Sequence, residues 1–177
     1  MKKIFALLFT ALLFIACSDK PKYELDNWSV LIDPIFNQEK VVQFYKDKIA
    51  DVKENSKEEI LIYAELQEEL KKAGNNRAVE GKRVKLEGYL VPIETDGERV
   101  SQFLFFPNQA ACIHVPASPA NQTIFVTVKK GEGVLMEDAY EKITLYGTIH
   151  LETAKVATGT ASFVIKDGMA TLSNQYN

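Results

Sequence analysis

From Gly81 onward apolar residues recur at every second position, and this period constrains the fold more than any other feature of the chain. Val84, Leu86, Gly88 and Leu90 alternate with Lys85, Glu87 and Tyr89. Successive side chains of a strand point to opposite faces, so the alternation predicts a half-buried strand running to about Ile93. Thr95-Asp96-Gly97 then turns the chain. A second strand is expected over 101–106, dominated by Phe103, Leu104, Phe105 and Phe106, and a third over 123–128. The stretch between them, 107–122, holds three prolines and two Asn-Gln pairs and reads as a loop. One helical turn is expected near Val134-Leu135-Met136. A fourth strand follows over 142–151, with Ile143, Leu145, Gly147 and Ile149 on one side. A fifth strand is expected over 161–165; Lys166-Asp167-Gly168 reads as a turn, with Met169 to Leu172 continuing the sheet.

Strands of this number and spacing predict a mainly β architecture within an α+β whole. The expected form is a small five-stranded barrel of the oligonucleotide/oligosaccharide-binding (OB) type, preceded by two helices. Gly88 and Gly147 suit it, since a missing side chain lets a strand bend sharply at a barrel corner. The competing arrangement is an open sheet with both helices packed on one face.

Upstream the period is helical. Val41, Val42, Tyr45, Ile49 and Val52 form one stripe on a helix expected over 39–53. Ser56-Lys57-Glu58-Glu59 has the form of a capping box, in which the Ser56 oxygen and the Glu59 carboxylate each take an orphan N–H. The helix it opens is expected over 57–73, with Ile62, Leu66, Leu70 and Ala73 on one face and Gly74-Asn75-Asn76 as a left-handed stop. The organisation is therefore a helical segment over 38–76 and a β domain over 80–177. Before them lies a tether over 17–37 that starts polar and ends by docking through residues such as Trp28, Leu31 and Phe36.

Residues 1–16 read as an export signal. Lys2 and Lys3 precede an apolar run from Ile4 to Ile15, and Ala16 stands directly before Cys17. The run is shorter than the ~20 residues a bilayer-spanning helix needs. The pattern resembles bacterial lipoprotein signals, which implies cleavage after Ala16, a diacylglyceryl group on the Cys17 sulfur and a cell-envelope location facing the periplasm. Ser18 after the lipidated cysteine resembles sorting to the outer membrane. Loss of the two lysines moves the formal charge from −3 to −5, so no basic face for nucleic acid is implied.

With Cys17 lipidated, Cys112 is the one thiol left and has no partner within the chain for a disulfide. In an oxidising compartment such a cysteine calls for burial, a metal or a partner thiol. In Ala111-Cys112-Ile113-His114-Val115-Pro116, an extended backbone would put the Cys112 sulfur and a His114 nitrogen on one face, within reach of one metal. Thiolate with imidazole suits zinc or copper. His150 and Glu152 form a second pair two residues apart, and a structural zinc wants four ligands. Two other readings stand beside metal binding: a small buried hydrophobe with a loop-steadying histidine, and a nucleophilic thiol activated by the imidazole. No third group marks a catalytic arrangement. A phosphate-cradling glycine loop, a Gly-x-Ser-x-Gly elbow and a His-Glu-x-x-His helix are all absent from the sequence. Glu58/Glu59 and Glu68/Glu69 read as a solvated helix surface.

Gly88-Tyr89-Leu90-Val91-Pro92-Ile93-Glu94, Phe103-Leu104, Pro107, the Ala111–Pro116 stretch and Asn121-Gln122 together resemble a family of bacterial periplasmic lipoproteins of unknown function. The resemblance covers about 80–172. It implies an accessory role beside transporter components of the ATP-binding-cassette (ABC) type, and it brings no catalytic residues.

Overall fold

The computed structural model describes residues 22–108 and 118–175. Two helices, α1 (Gln38–Ile49) and α2 (Lys57–Lys71), precede the strands β1 (Arg83–Asp96), β2 (Arg99–Phe106), β3 (Ile124–Val128), β4 (Ile143–His150), β5 (Ala154–Val156), β6 (Gly159–Ala161) and β7 (Phe163–Leu172). Five strands close a barrel in the order β1-β2-β3-β7-β4 and back to β1, while β5 and β6 form a separate hairpin. All barrel neighbours are antiparallel except β3 and β7, which are parallel. This is the expected OB-type barrel rather than the open sheet.

Register shows why the sequence alternates. Leu90, Phe105, Ile124 and Phe163 stand opposite one another across four strands and point inward, where Phe103, Leu145 and Ile165 join them. The next row, Val91, Leu104, Phe125, Val164 and His150, points outward. β1 serves two partners, pairing with β4 through Gly88 and with β2 from Tyr89. The corner falls at the glycine. A Cβ at Gly88 would sit 2.3 Å from the Phe106 carbonyl oxygen and 2.9 Å from the Phe105 ring, and one at Gly147 would sit 2.4 Å from Ile165 Cγ2. Both glycines are therefore required by close approach as well as by bending.

Three details depart from the sequence reading. Lys166-Asp167-Gly168 does not turn the chain: β7 runs through it with Asp167 at φ 55°, and the ladders to β3 and β4 shift register there. An inserted residue in a strand has the polar, glycine-rich composition of a turn. The hairpin β5–β6 was not anticipated, because three-residue strands carry no readable period. Gly74 is absent from the positive-φ glycines, so it is no left-handed stop; α2 instead ends on short-range bonds from the Lys72 and Ala73 N–H groups to Glu69 and Leu70.

The cap of α2 is formed. Ser56 Oγ accepts from the Glu59 N–H at 3.1 Å, while the Glu59 carboxylate accepts from the N–H of Asn55 rather than that of Ser56. Asn55 is left-handed at φ 59°, which aims its N–H at the helix start. Ser56→Ala should lower stability by ~0.5–2 kcal/mol, read as a shift in the urea midpoint.

The segment before α1 is fastened to the barrel. Leu25 bridges Val84 in parallel, the Glu24 N–H donates to the Arg83 carbonyl at 2.9 Å, and Leu31 lies wholly within the core. Trp28 Nε1 donates to the Glu87 carbonyl at 2.7 Å, and its ring lies 5.2 Å from that of Phe105. The Lys82 ammonium and the Arg83 N–H hold the Glu24 carboxyl below its ordinary value. A depressed carboxyl stabilises the fold above its unfolded pKa, and that stability is lost as pH falls through the folded value. Trp28 fluorescence should therefore report a slight loosening of this segment only in acid, slight because the pair is solvent-exposed and Leu31 stays in the core. Glu24→Gln should flatten that transition. Among the described residues no helix is long and apolar enough to cross a membrane.

Candidate functional site

His150, the histidine among the described residues, stands at the end of β4 and meets Glu80 there. Asn76 caps a single 3-10 turn, Arg77–Val79, through its Oδ1, which accepts from the Ala78 N–H at 3.0 Å. Val79 is buried against the core, so the next residue, Glu80, is presented at the barrel rim. Glu80 Oε2 accepts from the Leu151 N–H at 2.7 Å, and Oε1 lies 2.8 Å from His150 Nδ1. The Leu151 N–H first, and then His150, hold the Glu80 carboxyl below the usual carboxylate range. An ionised carboxylate only accepts, so Nδ1 carries the hydrogen of this bond. Metal-bound histidines commonly have this carboxylate support behind them. Beside the pair lies an open cleft of ≈690 Å³, lined by Asp33, Asn75, Arg77, Glu80, Thr153 and Ser162 among others.

His150 and Glu152 do not act as a pair of adjacent strand residues. β4 ends at His150, the Glu152 N–H folds back onto the His150 carbonyl at 3.1 Å, and the Glu152 carboxylate lies 2.9 Å from Lys166 Nζ. Cys17, Cys112 and His114 lie outside the described residues. Among the described residues no three metal-ligating side chains converge. Sequence reasoning missed Glu80, which stands 70 positions from His150 and carries no local signal.

Asn121 has a structural task. It lies in the 3-10 turn Ala120–Gln122, buried, and its Nδ2 donates to the Leu70 carbonyl at 2.9 Å and the Ala73 carbonyl at 2.8 Å. The last turn of α2 is thereby tied to the entry of β3. The Ser162 N–H donates to the Ala120 carbonyl at 2.9 Å and ties the same turn to the β5–β6 hairpin. That hairpin covers the outer face of β1, β2 and β3. Ala161 is buried against Leu104 and Phe106, with Val91, Phe125, Ala154 and Val156 around them. OB-type barrels commonly bind oligomeric ligands on this face; here the connection between β4 and β7 fills part of it.

A closed barrel in this strand order, with a helical hairpin pinned to it through Asn121, defines an α+β protein of the OB type. The chain belongs to the DUF3299 family, proteins of unknown function, whose pattern matches residues 28–171. That match starts at Trp28, so the family unit includes the docked segment and both helices as well as the barrel. The chain is also similar to a DUF3299 family protein from Pseudomonas aeruginosa PAO1 with a crystal structure at 2.45 Å resolution. The two are 24% identical over 85% of this chain and 97% of that one, with a TM-score of 0.57, a likeness that shows the fold. No curated protein matches the chain.

Proposed function

We propose that the chain is a lipid-anchored cell-envelope protein, a binding or accessory module that handles zinc or copper through Cys112 and His114. The observation that carries this reading is the sequence Ile4–Ile15, Ala16, Cys17, followed after only a few residues by a segment built into the barrel. His150, with Nδ1 held by Glu80, is the third ligand of the proposal. Glu152 is the fourth, and it would have to leave Lys166 to serve. Work beside an ABC-type transporter is the accessory role that the family resemblance implies.

Two measurements test the reading. Cys17→Ser should abolish labelling by palmitate and release the protein from membranes, because more than one acyl chain is needed for stable anchoring. Labelling that persists in this variant removes the anchor. Protein purified from the envelope should carry about one equivalent of zinc or copper, and Cys112→Ser or His114→Ala should sharply lower it. Metal-free protein whose thiol reacts rapidly at neutral pH would point to a thiol enzyme instead. Metal-free protein with an unreactive thiol would leave Cys112 a buried structural residue.

A further inference from the structure

We infer that the barrel face around Tyr23, Arg83 and Lys85 rests against anionic phospholipid headgroups, an inference that builds on the anchoring of Cys17. Four residues lie between Cys17 and Lys22, and a fully extended chain spans ~3.3–3.6 Å per residue, so the lipidated sulfur stays within roughly 20 Å of the point where the described body begins. That point is not free to swing. The Glu24 N–H and the Leu25–Val84 bridge fix the segment to β1, and the Tyr23 ring lies 5.2 Å from that of Tyr146 and 5.3 Å from the Arg83 guanidinium. An anchor at Cys17 therefore selects which side of the barrel meets the membrane.

The chemistry of that side fits the surface it would meet. Arg83 and Lys85 project from β1 into solvent, in register with Thr148 and Tyr146 of β4. The neighbouring acids Glu24 and Glu87 are each taken up by a lysine, Lys82 at 2.7 Å and Lys142 at 2.6 Å. Asp26 is the other acid close to this end of the docked segment, and Lys22 there carries the opposite charge. Arg83 and Lys85 thus leave a local positive excess on a chain whose formal charge is −5 once residues 1–16 are removed. A lipid phosphate surface attracts this excess and repels the acidic remainder, which turns the barrel as well as holding it. Tyr23 and Tyr146 suit the same boundary, each having an apolar ring and a polar tip. Nucleic acid is the weaker partner for these cations, because the anchor already supplies a membrane at high effective concentration.

The test uses the acylated mature chain in two kinds of vesicle, pure phosphatidylcholine and phosphatidylcholine with about a third phosphatidylglycerol. Lysines are acetylated with a membrane-impermeant reagent and counted by mass spectrometry. Lys85 should react about fivefold more slowly on the anionic vesicles, and the difference should vanish near ~1 M salt. Lys57, at the end of α2 remote from its tie to Asn121, should react alike on both. The Cys17 peptide in the same digest reports acylation. An acylated Cys17 with equal Lys85 rates on both vesicles overturns this inference and leaves the anchor standing. An unmodified Cys17 removes the anchor and this inference with it.

Discussion

Gly88→Ala is expected to destabilise the barrel at its corner. The added carbon would lie 2.3 Å from the Phe106 carbonyl oxygen and 2.9 Å from the Phe105 ring. Neither neighbour has room to give way. Phe106 is paired with Tyr89 in the β1–β2 ladder, and Phe105 is wholly buried between Phe103 and Trp28. Inserting atoms into a packed core costs ~1–3 kcal/mol, and opposition from main chain places this case at the upper end, about 3 kcal/mol. Domains of this kind are stable by only ~5–15 kcal/mol, so the urea midpoint should fall markedly. Gly97→Ala is the control. Its Cβ would meet nothing within 4 Å, so only the strain of φ +65° opposes it, and the expected loss is about 1 kcal/mol. Equal losses for the two variants would remove the close-approach account of the corner.

Asn121→Asp should give the second large effect, and in a different place. The Asn121 amide donates to two main-chain carbonyls, Leu70 and Ala73, from a position only 5% exposed. A carboxylate there would donate nothing, would face two acceptors and would bring a charge into the interior. Leaving a buried group unpaired costs ~1–3 kcal/mol each, so a total loss of about 3 kcal/mol is expected. The damage should be local first: hydrogen exchange should speed up through the last turn of α2 and at Gly74 while the β1–β4 ladder stays protected. Asn121→Leu, which loses the bonds without adding charge, should fall between the two. Loss of protection in β1 at the same rate as in α2 would mean that Asn121 supports the barrel as a whole.

These residues also show how far the sequence could be read. The barrel strands were legible because each has one wet and one dry face, and Val84, Leu86 and Leu90 announce the period without help from the rest of the chain. The capping residues of α2 were legible for the same reason, since Ser56 and Glu59 act on groups within a few positions. Asn121 could be quoted as part of a signature but not understood, because its partners lie 51 and 48 positions away. Glu80 was invisible beside His150 for that reason too. Asp167 was misread because a bulge and a turn ask for the same residues, and only the ladders on both sides tell them apart. His150 and Glu152 are a pair two residues apart in the sequence, but the strand ends at His150.

The placing of β7 has a consequence for how the molecule comes into being. β7 is the last of the described barrel strands, yet it lies between β3 and β4, and its pairing with β3 is the one parallel pairing among those strands. A polypeptide leaving a ribosome, or threading through any pore from its amino end, can assemble the β1–β2–β3 meander and add β4 to the far side of β1 as it emerges. It cannot close. Until the residues from Phe163 onward arrive, β3 and β4 each present a bare row of amide and carbonyl groups, the kind of edge on which chains stick to one another. The nascent chain is thus held open until β7 is present, a delay that keeps it threadable and makes any premature stop before β7 an aggregation hazard.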